Sequence, residues 1–314
     1  MRDIFDEVKA LSTEQRNQRS MLMDELPTAE VLALINDEDA RVAGAVRDEI
    51  PYITKVVDEI VKRFKQGGRL FYAGAGTSGR MGIVDAAECP PTFGSPVGLI
   101  NGIMAGGEKA VFQAVEGAED KRDDGRQAIQ DNALGQNDVL IGIAASKRTP
   151  YVLGALEEAK ARGAFAVLLT TNPRSEVDYP FLDEKICPVV GPEVLMGSTR
   201  MKSAVAQKMV LTMITTTVMV RMGKAYENMM VDLQLTNQKL VERAKRIIML
   251  ATGCDYERAQ EVLEQCGKHV KTAIIVQLGG VTPERARVVL TENDGFVKRA
   301  LRSLGIEPNT RASL

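Results

Sequence analysis

Histidine occurs once in this chain, as His269, and the four cysteines are scattered as Cys89, Cys187, Cys254 and Cys266, none of them in a C-x-x-C pair. That poverty argues against a zinc site, so no metal is expected, and reduced thiols in a cytoplasmic enzyme are the simplest account of the cysteines. Charge of one sign is also lacking: 40 Lys and Arg face 42 Asp and Glu, for a net charge of −2 and a pI of 5.8. There is no basic field to attract nucleic acid or an acidic membrane. The opening stretch MRDIFDEVKALSTEQRNQ carries acids and no apolar h-region, so it does not read as a signal peptide. No apolar run reaches the roughly 20 residues of a membrane helix. The expectation is a soluble, cytoplasmic protein.

What is present is enough to build a core. Of 314 residues, 45% are hydrophobic and 26% charged, which argues against disorder and suggests one large domain, or a domain with a smaller module. Residues 28–35 (TAEVLALI) read as a capped helix, and residues 41–66 continue at helical spacing, interrupted by Pro51. Gly67 and Gly68 then end the helix, and RLFYAGAG reads as a buried strand entering a tight turn. A second apolar run, PVGLINGIMAGG, precedes a short helix in EKAVFQAVEGAED. DVLIGIAA is a third strand, SKRTP opens the helix YVLGALEEAKARG, and FAVLLT is a fourth strand. This alternation predicts an α/β fold, a parallel sheet with helices on both faces and with ligands at the carboxyl ends of its strands.

After GPEVLMGSTRMKSAVAQK the chain reads as helical to about Thr252. The tail repeats itself: Glu257-Arg258-Ala259 returns 27 residues on as Glu284-Arg285-Ala286, Val262-Leu263 as Val289-Leu290, Val270-Lys271 as Val297-Lys298 and Ala273 as Ala300. Two copies are too few for a solenoid, so a compact helical module is expected. The predicted division is an N-terminal helical segment (1–50), the parallel-sheet domain (51–252) and a small helical, UBA-like C-terminal module (253–314).

The stretch LFYAGAGTSGRMGIVDAAECPPTFG contains G-x-G-x-x-G at Gly74, Gly76 and Gly79. A dinucleotide fold also needs an acid at the end of the second strand to bind ribose hydroxyls. Here that strand ends in Gly102-Ile103-Met104-Ala105-Gly106-Gly107, without an acid before Glu108, and Pro90-Pro91 predict a shortened helix after the loop. A phosphate monoester suits the loop better. Amides of Gly76, Thr77, Ser78 and Gly79 at a helix N-terminus, with the Thr77 and Ser78 hydroxyls, can encircle a terminal phosphate. Ser146 and Thr149 stand in the matching place on the second strand-helix junction. The competing reading is that these residues merely cap helices.

GAGTSGRMGIVDAAECPPTFG, AGGEKA with AVEGAED, GIAASKRTPYV and VVGPEVLMGSTRMK together resemble the N-acetylmuramic acid 6-phosphate etherases. TEQRN, VDLQLTNQKLVERAKRI and ATGCDYERA extend the resemblance from about Thr13 to Leu301. The resemblance implies a sugar isomerase (SIS) domain, a small helical C-terminal module, a homodimer and an amino-sugar phosphate as the small-molecule substrate. It also implies the reaction, in which N-acetylmuramic acid 6-phosphate and water give N-acetylglucosamine 6-phosphate and D-lactate. The ether lies β to a latent aldehyde, so in the open-chain sugar a base can remove the C2 proton while an acid protonates the departing lactyl oxygen at C3. That route needs an acid and a base and no cofactor.

By the same resemblance Glu88 matches the acid and Glu119 the second catalytic carboxylate, the base at C2. Glu88 is braced by Cys89-Pro90-Pro91, whereas Glu119 shares EGAED with Glu116, and sequence alone does not separate those two. Ser198 and Thr199, with Arg200 and Lys202, follow a glycine at a helix start and either complete the sugar site or cap that helix. Arg80 is open to pairing with phosphate, with the lactyl carboxylate or with a neighbouring acid, and His269 reads as structural. The family shows glycine where this chain has Lys147, a change that strains the loop, obstructs the sugar or adds a cation to the phosphate site. Ser203-Ala204-Val205 also departs from the family's Ala-Gly-Thr. The alternative to catalysis is a sugar-phosphate sensor of the glucokinase-regulatory-protein type.

Overall fold

Leu70–Gly74 (β1) and Val139–Ile143 (β3) are buried at every position, as expected of central strands covered on both faces. In the computed structural model, which describes residues 9, 11–235 and 237–307, they pair in parallel. The first eight residues, residue 10, Thr236 of the VDLQLTNQ motif and residues 308–314 lie outside the described residues. Packing separates two compact units: the described residues of Met1–Ala87 with Gly98–Thr215, and Glu88–Val97 with the described residues of Thr216–Leu314.

After short 3-10 turns at Ser12–Glu14, Gln18–Ser20 and Met23–Glu25, the first unit continues with the helices Thr28–Asp39 (α1), Val42–Asp48 (α2) and Ile50–Lys65 (α3). Thr28 is the first helical residue of α1, not its cap; Pro27 holds the cap position. Pro51 does not interrupt a long helix but sits in the first turn of α3, where a missing N–H costs nothing. Ile53, Val56, Val57, Ile60, Val61 and Phe64 recur at helical spacing and form the buried face of α3. After β1 come Gly76–Phe93 (α4), Ile100–Met104 (β2), Lys109–Phe112 (α5), Arg122–Asp131 (α6), β3, Pro150–Ala161 (α7), Phe165–Leu169 (β4), Glu184–Ile186 (β5) and Lys202–Arg221 (α8). The sheet runs β2-β1-β3-β4-β5, all parallel. Connections leave β1 and β3 towards opposite edges, so the order reverses between these two strands, and Gly74 is paired with Ile143 there. A doubly wound sheet opens its ligand crevice at such a reversal.

The close approach of β1 and α4 explains two of the glycines. A Cβ on Gly79 would lie 2.8 Å from the Gly74 carbonyl oxygen and 2.9 Å from Met104 Cγ, and one on Gly74 would lie 2.6 Å from the Gly79 nitrogen. Contrary to expectation, α4 is long and passes through Pro90 and Pro91 to Phe93. The two prolines withhold donors only from the carbonyls of Ala86 and Ala87, near the end of the helix. Beyond them the Gly94 amide still reaches the Pro90 carbonyl at 2.9 Å.

α8 also corrects the sequence reading, since by length and composition it could cross a membrane. Its apolar window is 56% buried inside the protein, with Ala206, Val210, Leu211 and Ile214 in the core. Lys202 at its start is buried as well, with its Nζ 2.6 Å from Glu38 Oε2. Arg19 Nη1 at 2.7 Å and Asn17 Nδ2 at 2.8 Å also donate to the Glu38 carboxylate. Burial opposes the charge of Glu38, but these hydrogen bonds and the Lys202 ammonium outweigh it and hold the group at about 2.

In the second unit a hairpin, Ala225–Tyr226 (β6) against Met229–Met230 (β7), interrupts the stretch expected to be helical. Then follow Gln238–Thr252 (α9), Tyr256–Gln265 (α10), Val270–Gly279 (α11), Pro283–Glu292 (α12) and Val297–Ser303 (α13). The tail repeat is helix-turn-helix twice over. Its recurring Ala259 and Ala286, Val262 and Val289, and Val270 and Val297 are all buried, and Asp255 and Thr282 cap the first helix of each copy. Ala244, Ile247 and Ile248 of α9 share that core, so by packing α9 joins the residues after 253 instead of ending the sheet domain.

Both the glycine contact and the Glu38 pairing carry measurable consequences for stability. Gly79→Ala should cost about 1–3 kcal/mol by overpacking, read as a lower urea midpoint; an unchanged midpoint would contradict the contact. Because folding depresses the Glu38 pKa from 4.5 to about 2, its contribution is complete above pH 4.5 and is lost as pH falls towards 2. The stability gap between wild type and Glu38→Gln should therefore narrow below pH 4.5, and a gap independent of pH would refute the assignment.

Candidate active site

The chain leaves β1 through Ala75 and turns into α4 at Gly76, whose φ of +54° is one that L side chains rarely adopt. The amides of Gly76, Thr77 and Ser78 donate to no backbone carbonyl among the described residues, while that of Gly79 reaches the Ala75 carbonyl at 3.3 Å. Thr77 and Ser78 are half-buried, and their hydroxyls make no hydrogen bond among the described residues. Free amides, free hydroxyls and the positive end of an 18-residue helix form an anion-binding surface.

The loop after β3 leaves the adjacent strand end. The Ala145 carbonyl is held by Thr170 Oγ1 at 3.0 Å, Thr171 Oγ1 at 3.2 Å and Asn172 Nδ2 at 2.6 Å, all from the end of β4. Ser146 and Thr149 are half-buried. Thr149 occupies the N-cap position of α7, yet its hydroxyl makes no capping bond, so capping does not account for it. Lys147 takes φ +60°, a left-handed conformation that costs a non-glycine residue about 1 kcal/mol or more. Its ammonium does not project as a free cation: Nζ lies 2.8 Å from Glu176 Oε2 and 3.2 Å from the Glu176 carbonyl oxygen.

A cavity of about 250 Å³ opens beside the first loop. It is lined by Ala75, Gly76 and Arg80, by Met104 and Ala105 at the end of β2, and by residues 114–119, including both Glu116 and Glu119. The expected helix in EKAVFQAVEGAED is only α5, and Glu119 stands in an exposed turn beyond it. That turn is fixed by the Tyr151 amide, in the first turn of α7, which donates to the Glu119 carbonyl at 3.0 Å. The structure thus brings Gly76, Glu116 and Glu119 to one cavity and ties Glu119 to the helix that Thr149 begins. Arg80 is paired with no acid among the described residues; its Nε and Nη2 donate to the Val111 and Ala110 carbonyls, both at 2.8 Å. Burial pushes the Tyr151 hydroxyl up to about 12, so it stays protonated.

Ser198 and Thr199 lie half-buried in the turn before α8. The N-terminus of α8 is already served by an internal anion: Glu193, fully buried, accepts from the amides of Lys202 and Ser203 and from the Ser203 hydroxyl, each at 2.9 Å. Lys202 is committed to Glu38 and does not face the cavity. Glu88 is an exposed residue of α4 that packs with the second unit, beside the buried Cys89. Sequence reasoning missed Glu193, Glu38 and Asp85. Burial pushes the Asp85 carboxyl up, although the Tyr72 hydroxyl donates to it at 2.9 Å and that of Thr215 at 3.1 Å. Only the pairing of an acid with a helix start or a strand tyrosine in three dimensions marks these groups.

Residues 52–160 match the glucokinase regulatory protein N-terminal SIS domain, and residues 227–274 match the C-terminal lid domain of glucokinase regulatory protein. The N-acetylmuramic acid 6-phosphate etherase of Salinibacter ruber is 53% identical over 299 residues, covering 95% of this chain and 96% of that one. That of Aliivibrio fischeri strain MJ11 is 52% identical, over 94% and 98% of the two chains. That of Clostridioides difficile is 50% identical, over 94% and 96%. The likeness spans both compact units and every motif around the cavity, and the chain belongs to the N-acetylmuramic acid 6-phosphate etherase family.

Proposed function

We infer that this chain cleaves the D-lactyl ether of N-acetylmuramic acid 6-phosphate, a carbon-oxygen lyase reaction giving N-acetylglucosamine 6-phosphate and D-lactate. The observation that carries the reading is one cavity lined both by Gly76 of the amide-rich turn and by Glu119. The amides of residues 76–79, with the hydroxyls of Thr77, Ser78, Ser146 and Thr149, hold the 6-phosphate at the β1/β3 reversal. Ser198 and Thr199 contribute on the sugar side. Glu119 takes the C2 proton of the open-chain aldehyde, the C3–O bond breaks, and Glu88 delivers a proton to the departing lactyl oxygen. Water then adds across the double bond, hydroxyl to C3 and proton to C2. The sensor alternative rests on domain models that match 52–160 and 227–274 alone, whereas etherases match the chain almost end to end, and it is set aside.

A homodimer is part of the same proposal. It is supported by the exposed Met21, Leu22, Leu195 and Met196, three of which line a groove of about 240 Å³ on the first unit. Sedimentation should give twice the chain mass, and Met196→Asp should shift it towards a single copy; a wild-type monomer refutes the dimer. A phosphorylated sugar substrate, which does not cross membranes unaided, supports a cytoplasmic location.

Glu119→Gln and Glu88→Gln should each lower kcat for D-lactate release by about 10²–10⁴-fold, and Glu116→Gln by much less. Equal losses at Glu116 and Glu119 would remove the assignment of the base. In ¹⁸O-labelled D₂O, elimination and addition place the heavy oxygen on sugar C3 and deuterium on C2, leaving lactate unlabelled. Heavy oxygen in lactate would mean cleavage on the lactyl side and would sink the mechanism.

A further inference from the structure

Of the five non-glycine residues with positive φ among the described residues, Lys147 alone stands at the carboxyl end of a strand of the parallel sheet. A backbone held in that region persists only where its surroundings over-determine it. Here they do so from several directions. The Lys147 amide donates to the Ala144 carbonyl at 3.1 Å, and the Tyr179 hydroxyl donates to the Lys147 carbonyl at 3.3 Å. The Lys147 ammonium spans to Glu176, meeting its carboxylate at 2.8 Å and its carbonyl oxygen at 3.2 Å. The Lys147 side chain is only 15% exposed, so its stem is packed down and does not sweep through solvent.

The side-chain partners of this lysine come from the segment that follows β4. The same segment begins with Thr170, Thr171 and Asn172, which hold the Ala145 carbonyl. Residues 170–179 therefore grip the β3–α7 loop at Ala145 on one side of Ser146 and at Lys147 on the other. We propose that Lys147 and Glu176 form a latch that fixes this loop so that Ser146 and Thr149 are presented to the ligand, making Lys147 a positioning residue instead of a phosphate-binding cation. The ammonium is neutralised by the carboxylate that holds it, so it adds little charge to an incoming dianion. This inference rests on the assignment of Ser146 and Thr149 to phosphate binding.

The test measures amide hydrogen exchange at residues 146–149 in the free full-length chain, with KM and kcat for D-lactate release from N-acetylmuramic acid 6-phosphate. Glu176→Ala and Lys147→Ala should each speed exchange there about tenfold and raise KM about three- to tenfold, with kcat changing less than about twofold. The double variant should be no worse than the more affected single variant, and Lys147→Arg should restore KM. Glu176→Gln, which keeps the shape and removes the charge, serves should the alanine variant fold poorly. A lower KM in Glu176→Ala or Glu176→Gln would mean that the freed ammonium binds phosphate, and would overturn the latch. Unchanged exchange at 146–149 would overturn it too. If Ser146→Ala with Thr149→Ala leaves KM unchanged while Glu176→Ala still speeds exchange, the latch stands and the phosphate role of those hydroxyls falls.

Discussion

Backbone touches backbone where β1 meets the first turn of α4, and the rest of the site depends on that contact. With Gly79 lacking a Cβ, the helix begins directly against the Gly74 carbonyl, and its amides open at the end of the strand instead of a side chain's width away. Because Gly74 is paired with Ile143, the second loop leaves the sheet one strand spacing from the first, roughly 4.8 Å. The two loops proposed to hold the phosphate lie side by side because the strand order reverses between β1 and β3, not because either loop is long.

Electrostatics narrows the choice of anion site further. Helix N-termini attract anions, but at α8 that attraction is spent on Glu193, buried against the Lys202 and Ser203 amides. Lys202, the cation that looked available in GSTRMK, is spent on Glu38. Breaking such a buried pair typically costs about 3–5 kcal/mol, far more than the fraction of a kcal/mol of an exposed pair such as Lys62–Glu59, so these charges belong to the scaffold. Arg80 is occupied likewise by the carbonyls that end α5. Among the described residues, the amide turn at 76–78 and its hydroxyls carry no such internal partner, which is why we propose the phosphate site there.

Much of this is legible in the sequence, and the rest is not for identifiable reasons. Strands β1 to β4 read as apolar runs ending at glycine or hydroxyl clusters, and the tail repeat announces its four helices because the recurring residues are its core. The missing acid after β2 argues against a ribose site from residue order alone. Pro90 and Pro91 mislead because propensity treats them as helix breakers, whereas near a helix end they forfeit only two bonds. α8 does not stand out as a long apolar helix because its lysines and threonines break the apolar run; its burial comes from packing. The roles of Glu193 and Glu38 depend on partners more than 100 residues apart or on another element, and no local pattern encodes them. Lys147 shows the limit from the other side: the sequence leaves three outcomes open for it, and its left-handed backbone and its pairing with Glu176 are visible only in space.

In the proposed complex the sugar phosphate is held where β1 and β3 end side by side. Amide-resolved NMR of the full chain, titrated with N-acetylglucosamine 6-phosphate, tests it most directly. The first and largest shifts should fall on residues 76–79 and 146–149, with those of 202 and 203 little changed because Glu193 already occupies their amides. Shifts concentrated at the start of α8, with the two loops unmoved, would contradict it.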